Sequence, residues 1–200
     1  MTSEIPSSVP HEDNIAVRKQ LLRRQIREEV RALDPAYCAA ADRAIREILF
    51  SLPEYGSART VFCFVSLPSE VNTRPILEHI LSSGKTLAVP RSEGNGVMQA
   101  HVITDPEKDL SRGMYGIEEP SVSLPVLSPE AFDLILVPCC TCSHTGKRLG
   151  FGGGYYDRFL ARTDAFRIAL CREVLIKNDI PEDPYDLSMD IVLTEAGIWR

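Results

Sequence analysis

The 200-residue sequence holds a single tryptophan, and aromatic residues make up only 7% of it. No apolar run approaches the roughly 18 residues that a membrane-crossing helix needs, so no membrane partner is expected. Positive charge is not in excess. Twenty-two Lys and Arg stand against 28 Asp and Glu, a formal −6, which excludes the global basic footprint of a nucleic-acid binder. The opening stretch, MTSEIPSSVPHEDN, has neither the basic n-region nor the apolar h-region of a secretory signal. The six cysteines therefore read as reduced thiols of a cytoplasmic protein, not as a disulfide framework. What is present is ordinary. Hydrophobic residues at 44% and charged residues at 25% describe a globular chain long enough to bury a core. Ser, Pro and acids crowd residues 1–14, which read as a disordered tail before a single domain over 15–200.

Hydrophobic periodicity organises that domain. Leu22, Ile26, Val30 and Leu33 form one stripe of a helix over 15–33. Asp34-Pro35 supplies the N-cap and first position of a second helix that runs to Phe50. The period then changes. Val61–Val65 is a continuous run of β-formers, the mark of a strand buried on both faces. A helix from Pro75 to Ser83 stops at Gly84. Strands are predicted at 86–89, at 97–104 (nearer an edge), and at 133–137, 167–171 and 191–194. A helix begins at Tyr155, and residues 105–130 read as an extended excursion. Strands alternating with helices predict a three-layer α/β fold with a largely parallel sheet flanked by helices.

Charge is unevenly spread. Six cations between Arg18 and Arg31 face only Glu28 and Glu29, whereas seven acids between Glu173 and Glu195 face only Lys177. At about 100° per residue, Lys19 projects within about 20° of Ile26 and Val30, and Arg23 within about 40° of Lys19. Two cations thus share the face that should be buried. A buried charge is costly, so these side chains either snorkel to water, pair with the acidic tail, or face a bound anion.

The most specific segment is Lys147-Arg148-Leu149-Gly150-Phe151-Gly152-Gly153-Gly154-Tyr155-Tyr156-Asp157, read as a Gly-rich phosphate loop between a strand and a helix. Its glycines open backbone N–H groups to close approach, a helix N-terminus follows, and Arg148 offers a fork for phosphate oxygens. It is neither a Walker loop nor the dinucleotide fingerprint. Asp157 lies beside it, and Asp186 and Asp190 lie far along the chain; Asp157 and Asp190, which opens the last strand, are the candidate Mg²⁺ ligands, since Mg²⁺ binds one or two carboxylates plus substrate phosphates. Glu70 follows a strand, where ligands of open α/β sheets bind. Cys139 and Cys142 have CxxC spacing, with His144 nearby. No second ligand pair follows, so packing beside a site is expected over zinc or redox chemistry.

On RLGFGGGYYDRFL (148–160), the basic pair in KQLLR (19–23), SLPSEVNTRPIL (66–77), YGIEEP (115–120), LVP (136–138) and PYDLSMDIVLTE (184–195), the chain resembles the 5-formyltetrahydrofolate cyclo-ligase family. The resemblance implies ATP-dependent conversion of 5-formyltetrahydrofolate to 5,10-methenyltetrahydrofolate through a phosphorylated formyl group. It also implies ATP as co-substrate and small-molecule partners; a monomer is the expected working unit. ATP would be held by Lys19, Arg23, Arg148, Leu149, Gly150, Phe151, Gly152, Gly153, Gly154, Tyr155 and Tyr156, with Arg148 and Tyr155 catalytic. Folate would meet Val65, Glu70 and Tyr155, and Mg²⁺ would meet Asp157 and Asp190. The chain departs from the family where Cys142-Ser143 replaces a Phe-Asp pair and where 172–177 lacks a Gln. A nucleotide-binding regulatory module without turnover is the second reading; a redox or zinc protein using Cys139, Cys142 and His144 is the third.

Overall fold

The computed structural model describes residues 14–113 and 116–200. All of the expected tail except Asn14, and Tyr115 of the YGIEEP segment, lie outside the described residues. Helix α1 (Ile15–Arg31) starts where the Asn14 side chain accepts the Ala16 N–H at 2.9 Å. Helix α2 (Pro35–Ser51) starts as predicted, with Asp34 accepting from Ala36 and Pro35 at its first position. A short α3 (Pro53–Ser57) leads into β1 (Thr60–Cys63). Helix α4 (Arg74–Ser82) and strands β2 (Thr86–Gly94) and β3 (Val97–Ile103) follow. The excursion holds α5 (Pro106–Asp109), β4 (Leu110–Arg112), β5 (Glu118–Pro120) and β6 (Val126–Leu127). The last third holds β7 (Leu134–Val137), β8 (Thr141–Cys142), β9 (Arg148–Leu149), α6 (Tyr155–Leu160), β10 (Phe166–Leu170), β11 (Ile191–Thr194) and β12 (Gly197–Trp199).

Among the described residues the main sheet has eight strands in the order β12-β11-β10-β7-β1-β2-β3-β6. The pairings β11–β10–β7–β1–β2 are parallel; β12, β3 and β6 pair antiparallel at the two sides. Residues of β7 and β11 are buried throughout, because both faces of the sheet are covered. One face packs Leu134, Leu136 and Ile168 against Ile45 and Leu49 of α2 and Ile76, Leu77 and Ile80 of α4. The other packs Phe62, Ile135, Val137 and Ala169 against Ile26 of α1 and Phe159 and Leu160 of α6. Each fully buried Ile or Leu contributes about 1.5–3 kcal/mol, so the three layers hold together without staples.

The structure adds to the sequence reading or corrects it at three places. Strand β3 lies next to an edge, as read, but the two-residue β6, inside the supposed excursion, pairs beyond it. Strand β12, too short to carry a pattern, closes the other side. The glycine segment does not leave a strand of the main sheet either. The chain first folds back as the β8–β9 hairpin, with Thr141 opposite Leu149, and the glycines follow its two-residue return strand.

Candidate active site

The glycine segment and α1 meet at the end of the sheet where β7 stops. Arg148, 8% exposed, donates through Nη1 to the Pro138 carbonyl just past β7 and through Nη2 to the Asp157 carboxylate; its Nε is buried without a partner. Arg23, on α1, donates through Nε to the Gly150 carbonyl at 2.7 Å. Gly152 (φ +102°) lies so close to that guanidinium that a Cβ would sit 3.4 Å from its carbon. Gly154 (φ +64°) turns the chain into α6. That helix has only six residues, so its dipole is weak, and the pull on an anion falls to Arg23, Arg148 and the loop N–H groups. Arg158 fixes the loop from behind, donating to Gly153 O at 2.6 Å and to Gly96 O, in the β2–β3 turn, at 2.9 Å. Leu149 is buried, Phe151 stands half exposed, and Tyr155 packs its ring under Gly153. The Tyr156 hydroxyl is buried without a partner, and burial pushes its pKa well up.

Lys19, one turn before Arg23, has found the acidic tail. Its Nζ lies 2.6 Å from Asp183 and 2.5 Å from Asp186. The Asp183 N–H donates to Asp186, so the two carboxylates form one turn-bound receptor. Burial acts to lower the Lys19 pKa, but the two carboxylates outweigh it and the net shift is upward.

Next to the loop is a cavity of about 250 Å³, lined by Ile26, Arg27, Val30 and Arg31 of α1, by Ser69–Val71 after β1, by Cys139 and Cys140 after β7, by Phe151, and by Leu170–Arg172 and Leu175 beyond β10. It lies beyond the carboxyl ends of parallel strands, where such folds bind ligands. Glu70 accepts the Leu67 N–H at 2.7 Å through Oε2, leaving Oε1 for a ligand. Burial pushes its carboxyl up to about 7, against the Leu67 N–H and the Arg172 guanidinium, which favour the charged form. Val65 is buried in the core on the α2–α4 side and does not line this cavity.

A model of the 5-formyltetrahydrofolate cyclo-ligase family matches residues 15–195. The chain belongs to this family. It is 31% identical over 182 residues to the 5-formyltetrahydrofolate cyclo-ligase of Mycolicibacterium smegmatis, covering 88% of this chain and 93% of that one. It is 29% identical over 213 residues to the mitochondrial 5-formyltetrahydrofolate cyclo-ligase of Arabidopsis thaliana, covering 93% and 77%. The solved 5,10-methenyltetrahydrofolate synthetase of Aquifex aeolicus superposes with a TM-score of 0.82 at 29% identity, covering 91% and 92%.

For a member of the cyclo-ligase family the position of the carboxylates matters. Asp157 is at the glycine segment, paired with Arg148. Asp190 is not brought to it. It precedes β11, at the opposite end of the strands, and its carboxylate accepts the Arg167 N–H at 2.7 Å beside the start of β10. The tail carboxylates that reach the basic helix are Asp179, on Arg18, and Asp183 and Asp186, on Lys19; of Asp186 and Asp190 it is Asp186 that lies there. Asp157 and Asp186, one on each side of the Arg148–Arg23–Lys19 series, suit the one or two carboxylates that Mg²⁺ takes alongside phosphate oxygens; Asp190 does not. His144 is turned away from Cys139 and Cys142, pairing with Glu173 at 2.9 Å and stacking on Trp199 at 3.8 Å. Among the described residues no group of three or more His, Cys, Asp or Glu is arranged to hold a metal.

Proposed function

We propose that the chain is an ATP-dependent 5-formyltetrahydrofolate cyclo-ligase, forming 5,10-methenyltetrahydrofolate, ADP and phosphate. The observation that carries this reading is the junction of two half-sites. A cationic, glycine-lined loop made by Arg23, Arg148 and Gly150–Gly154 opens beside a cavity with one half-buried carboxyl, Glu70. The first half suits a triphosphate, the second a flat ring system with N–H donors. Arg148 and Arg23 neutralise charge on the transferring phosphoryl group, the main demand of phosphoryl transfer. The formyl oxygen attacks the γ-phosphorus and ADP leaves. The neighbouring folate nitrogen then attacks the formyl carbon, and that oxygen departs within phosphate. Glu70 orients the ring through Oε1, and Tyr155 covers the junction. Lys19 exchanges part of its hold on Asp183 and Asp186 for a phosphate. Asp157 and Asp186 would hold Mg²⁺, which would supply positive charge to the phosphates when bound. The reading keeps the cytoplasm as its compartment, on the six free thiols, and one chain as the working unit. The test mixes protein, MgATP and 5-formyltetrahydrofolate and follows the near-ultraviolet absorbance of the methenyl product. A rise that requires both substrates supports the reading. Nucleotide binding without any rise overturns it in favour of a regulatory module.

A further inference from the structure

The loop that carries Glu70 has no helix or strand to hold it, yet its backbone is pinned. Ser66 and Thr73 exchange side-chain-to-backbone bonds at 3.0 and 3.1 Å, which closes its neck. Its far side is held by one side chain from another part of the fold. Arg172, 4% exposed and two residues past β10, donates to Ser69 O at 3.2 Å and to Glu70 O at 2.6 Å. The same guanidinium forms a two-point pair with Asp42 of α2, Nε to Oδ1 at 2.8 Å and Nη2 to Oδ2 at 3.0 Å. Asp42 Oδ2 also accepts the Asn72 N–H at 3.1 Å, so it grips the loop independently.

A buried ion pair is a poor source of stability, because desolvation offsets the Coulomb gain. A rigid fork held by a carboxylate, with its other donors on two successive carbonyls, is by contrast a good source of geometry. The carbonyls it holds belong to Ser69 and Glu70, and the Glu70 side chain lines the cavity.

We propose that Arg172 and Asp42 are a positioning pair: they aim the Glu70 carboxylate into the cavity and thereby set the affinity for the folate ring system. This rests on Glu70 being the folate contact. The pair also acts on charge. Glu70 is faced by Arg172 just past β10, with Asp42 behind it on α2, by Cys140 after β7, by Tyr156 of α6, and by Arg27 and Arg31 of α1 across the cavity. Arg172 is the cation that holds its carboxyl down, so loss of the guanidinium charge raises the pH at which Glu70 ionises.

The test is a double-mutant cycle on the full chain with Glu70→Gln and Arg172→Lys, joined by Arg172→Gln and Asp42→Asn. KM for 5-formyltetrahydrofolate, KM for ATP and kcat are measured across about pH 6–9, which brackets a carboxyl at about 7. Arg172→Lys is expected to raise the folate KM roughly tenfold, as for a sub-ångström misplacement, and to leave the ATP KM unchanged. In the Glu70→Gln background it should add little. Arg172→Gln should also move the acid limb of kcat/KM for folate to higher pH, whereas Arg172→Lys, which keeps the charge, should not. If the Arg172 variants fail to melt cooperatively, Asp42→Asn must give the same selective rise in folate KM. Fully additive effects, equal rises in both KM values, or an unmoved acid limb in Arg172→Gln overturn the proposal. A Glu70→Gln enzyme with normal folate KM overturns instead the reading of Glu70 on which it stands.

Discussion

Lys19 and Asp186 touch at 2.5 Å although 167 residues separate them. The contact joins the first helix to the loop that enters the penultimate strand, one turn of α1 from the Arg23 bond to Gly150. Replacing Lys19 by Met removes a charge-assisted partner for phosphate and leaves Asp183 and Asp186 facing it. The ATP KM should rise about tenfold or more, with the folate KM unchanged, in steady-state titrations of each substrate.

Arg148 bonds a carbonyl past β7 and Asp157 through its two terminal nitrogens, so its guanidinium is fixed before any ligand arrives. Such preorganised charge acts most strongly where charge grows. Arg148→Ala should lower kcat on the order of a hundredfold, with a smaller change in the ATP KM. Loss confined to KM would remove Arg148 from the transferring phosphoryl group.

The two tail carboxylates should separate by phenotype. Asp186→Asn is expected to raise the Mg²⁺ concentration needed for half-maximal activity severalfold. Asp190→Ala should leave that titration unchanged and lower the melting temperature instead, because the Arg167 N–H it serves loses a bond worth about 1 kcal/mol. Exchanged phenotypes would restore Asp190 as a metal ligand.

Glu70 also makes a statement about stability. Its carboxyl is raised from 4.5 to about 7 by burial, so the folded state holds a proton that the unfolded chain has lost. Its contribution is therefore full below about pH 4.5 and declines as pH rises toward 7, by up to about 3 kcal/mol. Denaturant unfolding of Glu70→Gln should lack that decline. A parallel pH dependence in both proteins would show that Glu70 ionises freely.

The chain's elements were readable wherever local chemistry and burial agree. Asp34-Pro35 starts α2, and Val61–Cys63 and Leu134–Val137 are apolar because helices cover both faces. The β8–β9 hairpin, β6 and β12 were not readable. Two- and three-residue strands have no period, and only their partners define them. In the site, Arg23, Arg148 and the glycines were legible because few residue types do their work. Choosing Asp190 over Asp186 overlooked a rule the sequence does supply: a residue that opens a parallel strand lies at the end opposite the ligand crevice. Val65 lies two residues past β1, packed with Phe64 in the core cluster of α2 and α4, and does not line the cavity. Arg158, Arg172 and Asp42 carried no signal, because their partners are backbone carbonyls and side chains far away in sequence.

The glycine segment needs Arg23 from the first helix, and that helix needs Asp183 and Asp186 from near the far end of the chain. Synthesis proceeds from one to the other, so α1 is made long before the carboxylates that pair with Lys19 exist. A nascent chain can assemble the β1–β2–β7 centre and still be chemically silent. The Lys19 side of the site is therefore complete only when residues 183–186 have been added to the chain.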